Sequence, residues 1–269
     1  MKVKLLPPIA KCPGFLKPWV YEVLYLYAGA ERKSSIRSEL EHLCKNLPLT
    51  VVVTEWDLLQ GGDLLDDKKW EVLEGQLADG KYDATIACPP CETHSRSLYS
   101  GRPGPLPLRS ADYPDGFPWL RGANKEKVEK VNLLHERTRI AFRVGWESPA
   151  KTRYFIEFPE DLGLCKTGTP ASPWQLQKLK DFAQSSGGTC CAHHTCQWTI
   201  SVLKPERTLS NLEGHHAIGV RAWPAFNQAG KYTGPLPSIC PHGGHEAVGG
   251  RSANGIFETK KLATFARPF

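Results

Sequence analysis

The sequence predicts an α/β fold: a mostly parallel sheet with helices on both faces, followed by an irregular C-terminal region. Two observations carry the prediction. Short continuous apolar runs alternate with stretches of helical periodicity, and that alternation holds from about Tyr21 to Phe182. A third observation sets the scale: 269 residues with 41% hydrophobic and 23% charged side chains is ordinary globular composition, which excludes a disordered or fibrous chain. Strands alternating with helices imply crossover connections, hence a Rossmann-like sheet.

The elements follow in order. Residues 1–20 are proline-broken and aperiodic, an irregular lead-in. Tyr21–Tyr27 is an aromatic and aliphatic run of strand length, closed by Ala28-Gly29-Ala30. Ser34–Asn46 places Ile36, Leu40, Leu43 and Cys44 on one helical face. Leu49–Thr54 is a β-branched buried-type strand, Lys68–Leu77 a helix, and Ala84–Ala87 a third short strand. Residues 92–124 are dense in proline and glycine and predict a long surface loop, a length that usually signals a lid or binding loop. Helical spacing returns over Lys125–Val144, a strand over Arg153–Glu157 and a helix over Trp174–Phe182. From Cys190 onward the chain reads as strand and turn without a repeat. The expected organisation is thus a lead-in (1–20), a Rossmann-like domain (21–212) and an extension (213–269).

The chemistry gathers at the ends of the strands. Gly29 sits in a strand-to-helix turn where a cofactor can approach the backbone. Glu55-Trp56-Asp57 closes the second strand, where a carboxylate can bridge ribose hydroxyls and an indole can meet an adenine. Asp63, after Gly61-Gly62, is an acid in reach of an adenine amino group. The third strand runs into Cys88-Pro89-Pro90-Cys91, where two prolines stiffen the chain before a thiol, as aiming a nucleophile requires.

In that order these motifs resemble the DNA cytosine-5 methyltransferases: Leu26-Tyr-Ala-Gly29, Glu55-Trp56-Asp57, Pro90-Cys91, then Glu157-Phe158-Pro159, over about residues 21–212. The resemblance implies a class I methyltransferase fold that binds S-adenosyl-L-methionine through Ala28, Gly29, Glu55, Trp56, Asp63 and Pro89. It implies Cys91 as the nucleophile that adds to carbon 6 of a flipped cytosine, Glu157 as its partner at the ring nitrogen, and Arg207 as an active-site cation. The alternative is a non-catalytic methyltransferase-like module that binds nucleic acid or serves assembly, since Glu31, Arg32 and Lys33 stand where further glycines belong. A methyltransferase acting on another substrate is a third reading.

Three features bear on partners. The loop carries Arg96, Arg102, Arg109 and Arg121 among Tyr99, Tyr113, Phe117 and Trp119, a pattern suited to phosphate contacts and base stacking on nucleic acid, DNA above all. The net charge of +6 is compatible with that partner without identifying it. Nine cysteines, an odd number without an export signal, argue against a disulfide framework. Among them Cys196 and Cys240, with His242 and His245, could hold a tetrahedral zinc, while Cys44 reads as core. With no apolar run of membrane-spanning length, the expectation is a soluble intracellular protein, nuclear or cytoplasmic.

Overall fold

The computed structural model describes residues 19–30, 35–197, 203–237 and 244–245. Seven strands form one sheet in the order β2-β1-β3-β4-β6-β5-β7: β1 (Trp19–Leu26), β2 (Leu49–Trp56), β3 (Ala84–Ala87), β4 (Arg153–Pro159), β5 (Thr189–His194), β6 (Pro205–Ser210) and β7 (Val220–Arg221). The pairs β2–β1, β1–β3 and β3–β4 are parallel, while β6 runs antiparallel to both β4 and β5. Five strands therefore share one direction, and the expected mixed α/β sheet is present. Strands β8 (Ala225–Phe226) and β9 (Tyr232–Gly234) make a separate small hairpin.

Three helices cover one face: α2 (Asp67–Ala78), α3 (Gly122–Glu147) and α4 (Gln177–Ser185). Trp70, Leu73 and Leu77 of α2, Phe142 of α3 and Phe182 of α4 meet Leu24, Leu26, Ile156 and Leu209 of the strands in one core. Each fully buried leucine there contributes about 1.5–3 kcal/mol of apolar burial. The other face carries α1 (Ile36–Cys44), whose Ile36 and Leu40 lie against Val23, Tyr25 and Val53. Local chemistry fixes the helix starts: Ser35 caps α1 through the Ser38 amide at 3.1 Å, and Asp66 caps α2 through the amides of Lys68 and Lys69.

Most element ends shift by one to three residues, and two differences have a physical reason. The helix foreseen from Trp174 begins at Gln177, because Ser172 and Pro173 start a separate 3-10 turn that buries Trp174 and ends at an extended Leu176. The region after Cys190, foreseen as strand and turn, supplies β6, a central strand of the sheet.

The chain order positions the site. From β1 it passes outward to β2, then returns to place β3 on the other side of β1. Such a reversal opens a crevice outside the carboxyl ends of the strands. Here that edge is flanked by the turn after β1 and the Cys88–Cys91 loop after β3.

Candidate active site

At the carboxyl edge the register places the acid and the thiols together. Ala87 pairs with Ile156, so the next residue of each strand is Cys88 and Glu157. Cys91 follows after the two prolines, half-buried against the main core. His135 of α3 bonds the Pro90 carbonyl at 2.8 Å and so fixes the turn from behind.

Glu157 is 9% exposed and shares its surroundings with Lys204 and Glu206. The Lys204 ammonium lies 3.7 Å from Glu157 Oε1 and closer still to Glu206. His193 Nε2 stands 3.5 Å from Glu206 Oε2 on the adjoining strand. Burial, then the Glu206 charge, pushes the Glu157 carboxyl up, while Lys204 opposes that shift. Glu206 is held low: its bond to His193 and the Lys204 ammonium outweigh the burial that would raise it. Of the two carboxyls, Glu157 is the one whose surroundings favour the protonated form. Burial and the Glu157 charge also push the Cys91 thiol up to about 11. Both the Cys91 thiol and the Glu157 carboxyl are thus pushed toward their protonated forms.

Lys204, Glu206 and His193 were not foreseen as site residues. The foreseen cation, Arg207, lies elsewhere. Glu157 pairs with Thr208 and Phe158 with Arg207, and alternate residues of a strand face opposite ways. Arg207 is accordingly fully buried on the helix-bearing face, its Nε 2.9 Å from Glu160 Oε2 and its Nη2 3.0 Å from Oε1. It serves that core ion pair and does not join Glu157.

The turn after β1 has the open backbone expected of it, with Gly29 at φ 72°. Its amide donates to Asp57 Oδ2 at 3.0 Å, and its carbonyl accepts from Gln60 Nε2 at 2.6 Å. Ala28 is half-buried and belongs to the α1-side core. Glu55 is paired with Arg37 at 3.0 Å. The Trp56 indole packs on the main core with its buried N–H lacking a partner, and a Cβ on Gly62 would lie 2.7 Å from its Cδ1. Asp63 caps a local turn through the Leu65 amide at 2.8 Å, and Pro89 is buried on the wall of a cavity beneath the loop.

The four loop arginines separate. Arg102 and Arg121 are exposed, Arg121 folding back onto the carbonyls of Pro118 and Leu120. Arg96 is half-buried and bonds the carbonyls of Gly163 and Leu164. Arg109 is 2% exposed and sits inside the protein, bonded to Pro114 O at 2.7 Å and Asn132 Oδ1 at 2.9 Å. Outside, Tyr113, Phe117 and Trp119 form an aromatic cluster, with Phe117 and Trp119 stacked at 4.7 Å. Of the foreseen zinc ligands, Cys196 is buried, while Cys240 and His242 lie outside the described residues. His245 is described, with its Nε2 buried and unpartnered. Among the described residues no group of three or more His, Cys, Asp or Glu is placed to hold a metal ion.

Two cavities adjoin the edge, of about 80 Å³ and about 320 Å³, and neither is lined by Cys91, Glu157 or Gly29. Comparison of the chain with protein-family models and with curated proteins finds no match. Among the described residues no helix is long and apolar enough to cross a membrane.

Proposed function

We propose that this chain is a class I methyltransferase-like enzyme that uses S-adenosyl-L-methionine to methylate carbon 5 of cytosine in nucleic acid, with DNA as the first substrate to test. The observation that carries the reading is the meeting of the Pro-Pro-Cys91 loop with Glu157 at the carboxyl edge of one sheet. The reversal of strand order between β1 and β3 supports it, because the cofactor crevice of such sheets lies there.

The residues around that crevice fit the cofactor in part. The open Gly29 turn, the Glu55 carboxylate and the orphaned Trp56 N–H would hold its amino-acid and nucleoside ends. Gly62 lies close against the five-membered ring of the Trp56 indole, where any larger side chain would clash. When bound, S-adenosyl-L-methionine supplies a methyl group on a sulfonium.

Around that donor the chain's own residues have distinct tasks. Cys91 gives its proton to solvent and bonds to carbon 6, which turns carbon 5 into a nucleophile. The Glu157 proton passes to the ring nitrogen as charge develops there, and a protonated buried carboxyl is suited to give it. Lys204 keeps the Glu206 charge from closing on Glu157. Loss of the carbon 5 proton, departure of the Cys91 thiolate and return of the ring-nitrogen proton to the Glu157 carboxylate then restore the ring.

The test is covalent trapping on 5-fluorocytosine DNA in the presence of S-adenosyl-L-methionine. A denaturation-resistant adduct with the wild type, lost in Cys91→Ser, is expected. No adduct with the wild type, or one that persists in Cys91→Ser, overturns the assignment.

A second reading, a non-catalytic nucleic-acid-binding or assembly module, is favoured by one set of observations: the Gly29 amide and Glu55 are engaged by Asp57 and Arg37. Calorimetric titration separates the two, since an enzyme takes up S-adenosyl-L-methionine and the module gives no heat at millimolar ligand.

A further inference from the structure

We propose that the cavity beneath the Pro89-Pro90 turn binds a small hydroxy-carboxylate, held by Arg109 and His94. The cavity, of about 80 Å³, lies between α3, α4 and the proline-rich loop. That is room for a molecule of a few heavy atoms. Apolar side chains, Phe142, Ile156, Phe158 and Leu179, make much of its wall.

The polar groups in the wall are unevenly satisfied. Arg109 spends Nη1 on Pro114 and Asn132, leaving Nε and Nη2 buried without a partner. Among the described residues no carboxylate forms an ion pair with it. Of the acids in the wall, Glu136 is taken by Arg139 and by Lys178 at 2.8 Å. Asp115 acts on Arg109 through its charge alone. A buried guanidinium with two free N–H groups on adjoining nitrogens is the geometry that grips a carboxylate.

His94 adds the second requirement. Its Nδ1 faces the Ala171 carbonyl at 3.2 Å and so carries the ring proton, while Nε2 is buried with no partner. Burial and the Arg109 charge keep the ring neutral, which makes Nε2 an acceptor for a hydroxyl. Stacking on His135 at 5.1 Å holds the ring in place. A carboxylate carrying a nearby hydroxyl answers both groups. This site is separate from the Cys91–Glu157 edge and stands whether or not the methyltransferase reading does.

The test is a titration of the wild-type protein with lactate at constant ionic strength, balanced with chloride. The readouts are the Nε–H resonance of Arg109 in ¹⁵N-arginine-labelled protein, assigned by its loss in Arg109→Lys, and the Tm. Lactate is expected to shift that resonance saturably and raise Tm, with propionate at least tenfold weaker and propane-1,2-diol without effect. Leu176→Trp, which narrows the cavity and leaves Arg109 intact, is expected to abolish both responses. Lactate acting no more strongly than chloride, as in a cavity that holds only water, overturns the proposal. So does a diol that acts as well as lactate, and equal binding of propionate removes His94 from the site.

Discussion

Cys91 and Glu157 are both pushed toward their protonated forms by burial first, and then by a neighbouring carboxylate: Glu157 for the thiol and Glu206 for Glu157. The proposed reaction needs the thiolate and the protonated acid together. Below the point where Glu157 ionises, the thiolate fraction, and with it the rate of adduct formation, climbs about tenfold per pH unit. Above that point each proton lost from Glu157 cancels one lost from Cys91, and the rate levels off until the thiol itself ionises near 11. Stopped-quench trapping across pH checks this, and Glu157→Gln is expected to be slower by 10² or more and to lose the levelling. Arg207 leads to a different expectation. Removing its buried partner by Glu160→Gln should cost about 3–5 kcal/mol in denaturant unfolding while leaving the Cys91 edge in place. The sequence pointed to Arg207 as the active-site cation, whereas the cation beside Glu157 is Lys204, three residues earlier. Neighbouring strand residues face opposite ways, and only the pairing of β6 with β4, which no local pattern encodes, turns Glu206 toward the site and Arg207 away from it.

Elements built from apolar runs were the readable ones: β3 stands where the pattern put it, and β2 starts at the expected Leu49 and runs two residues past Thr54 to Trp56. Strands β5 and β6 were harder, because Thr189–His194 and Pro205–Ser210 are polar. They are buried all the same because their side chains satisfy one another, as where His215 bridges Thr189 at 2.7 Å and Thr208 at 2.8 Å. The turn that joins α4 to β5 depends on Gly188, where a Cβ would stand 2.1 Å from the Tyr154 hydroxyl. That hydroxyl is itself bonded to Ser186 at 2.6 Å. Gly188→Ala is expected to destabilise the protein by about 1–3 kcal/mol, measurable as a lower denaturant midpoint with unchanged slope. At the other end of the scale, Asp66→Ala should cost about 1 kcal/mol through the lost α2 cap.

Over the whole molecule, the α/β class and the mostly parallel sheet followed from the alternation of elements. The insertion of β6 between β4 and β5 did not, since strand order is set by long-range packing. Burial also gives the fold an acid limit. His215, 4% exposed, is lowered from 6.5 to about 4 by burial, then by the charges of His193 and His216. The unfolded chain then binds the extra proton first, so stability is full above pH 6.5 and drains away as pH falls toward 4. Glu157, raised in the fold, works in the opposite sense, so a comparison is needed to isolate the histidine. In chemical denaturation, the loss between pH 7 and pH 4 should be smaller in His215→Gln than in the wild type by about 1–3 kcal/mol.

Helix α3 draws these scales together. Within two turns it bonds the Tyr27 hydroxyl through the Leu134 carbonyl and Thr138, the Pro90 carbonyl through His135, Arg109 through Asn132, and Asp67 through Arg137. The turn after β1, the thiol loop, the proline-rich loop and the start of α2 all hang from one rigid rod. A substitution within those two turns therefore disturbs four separate segments at once, three of them flanking the proposed sites.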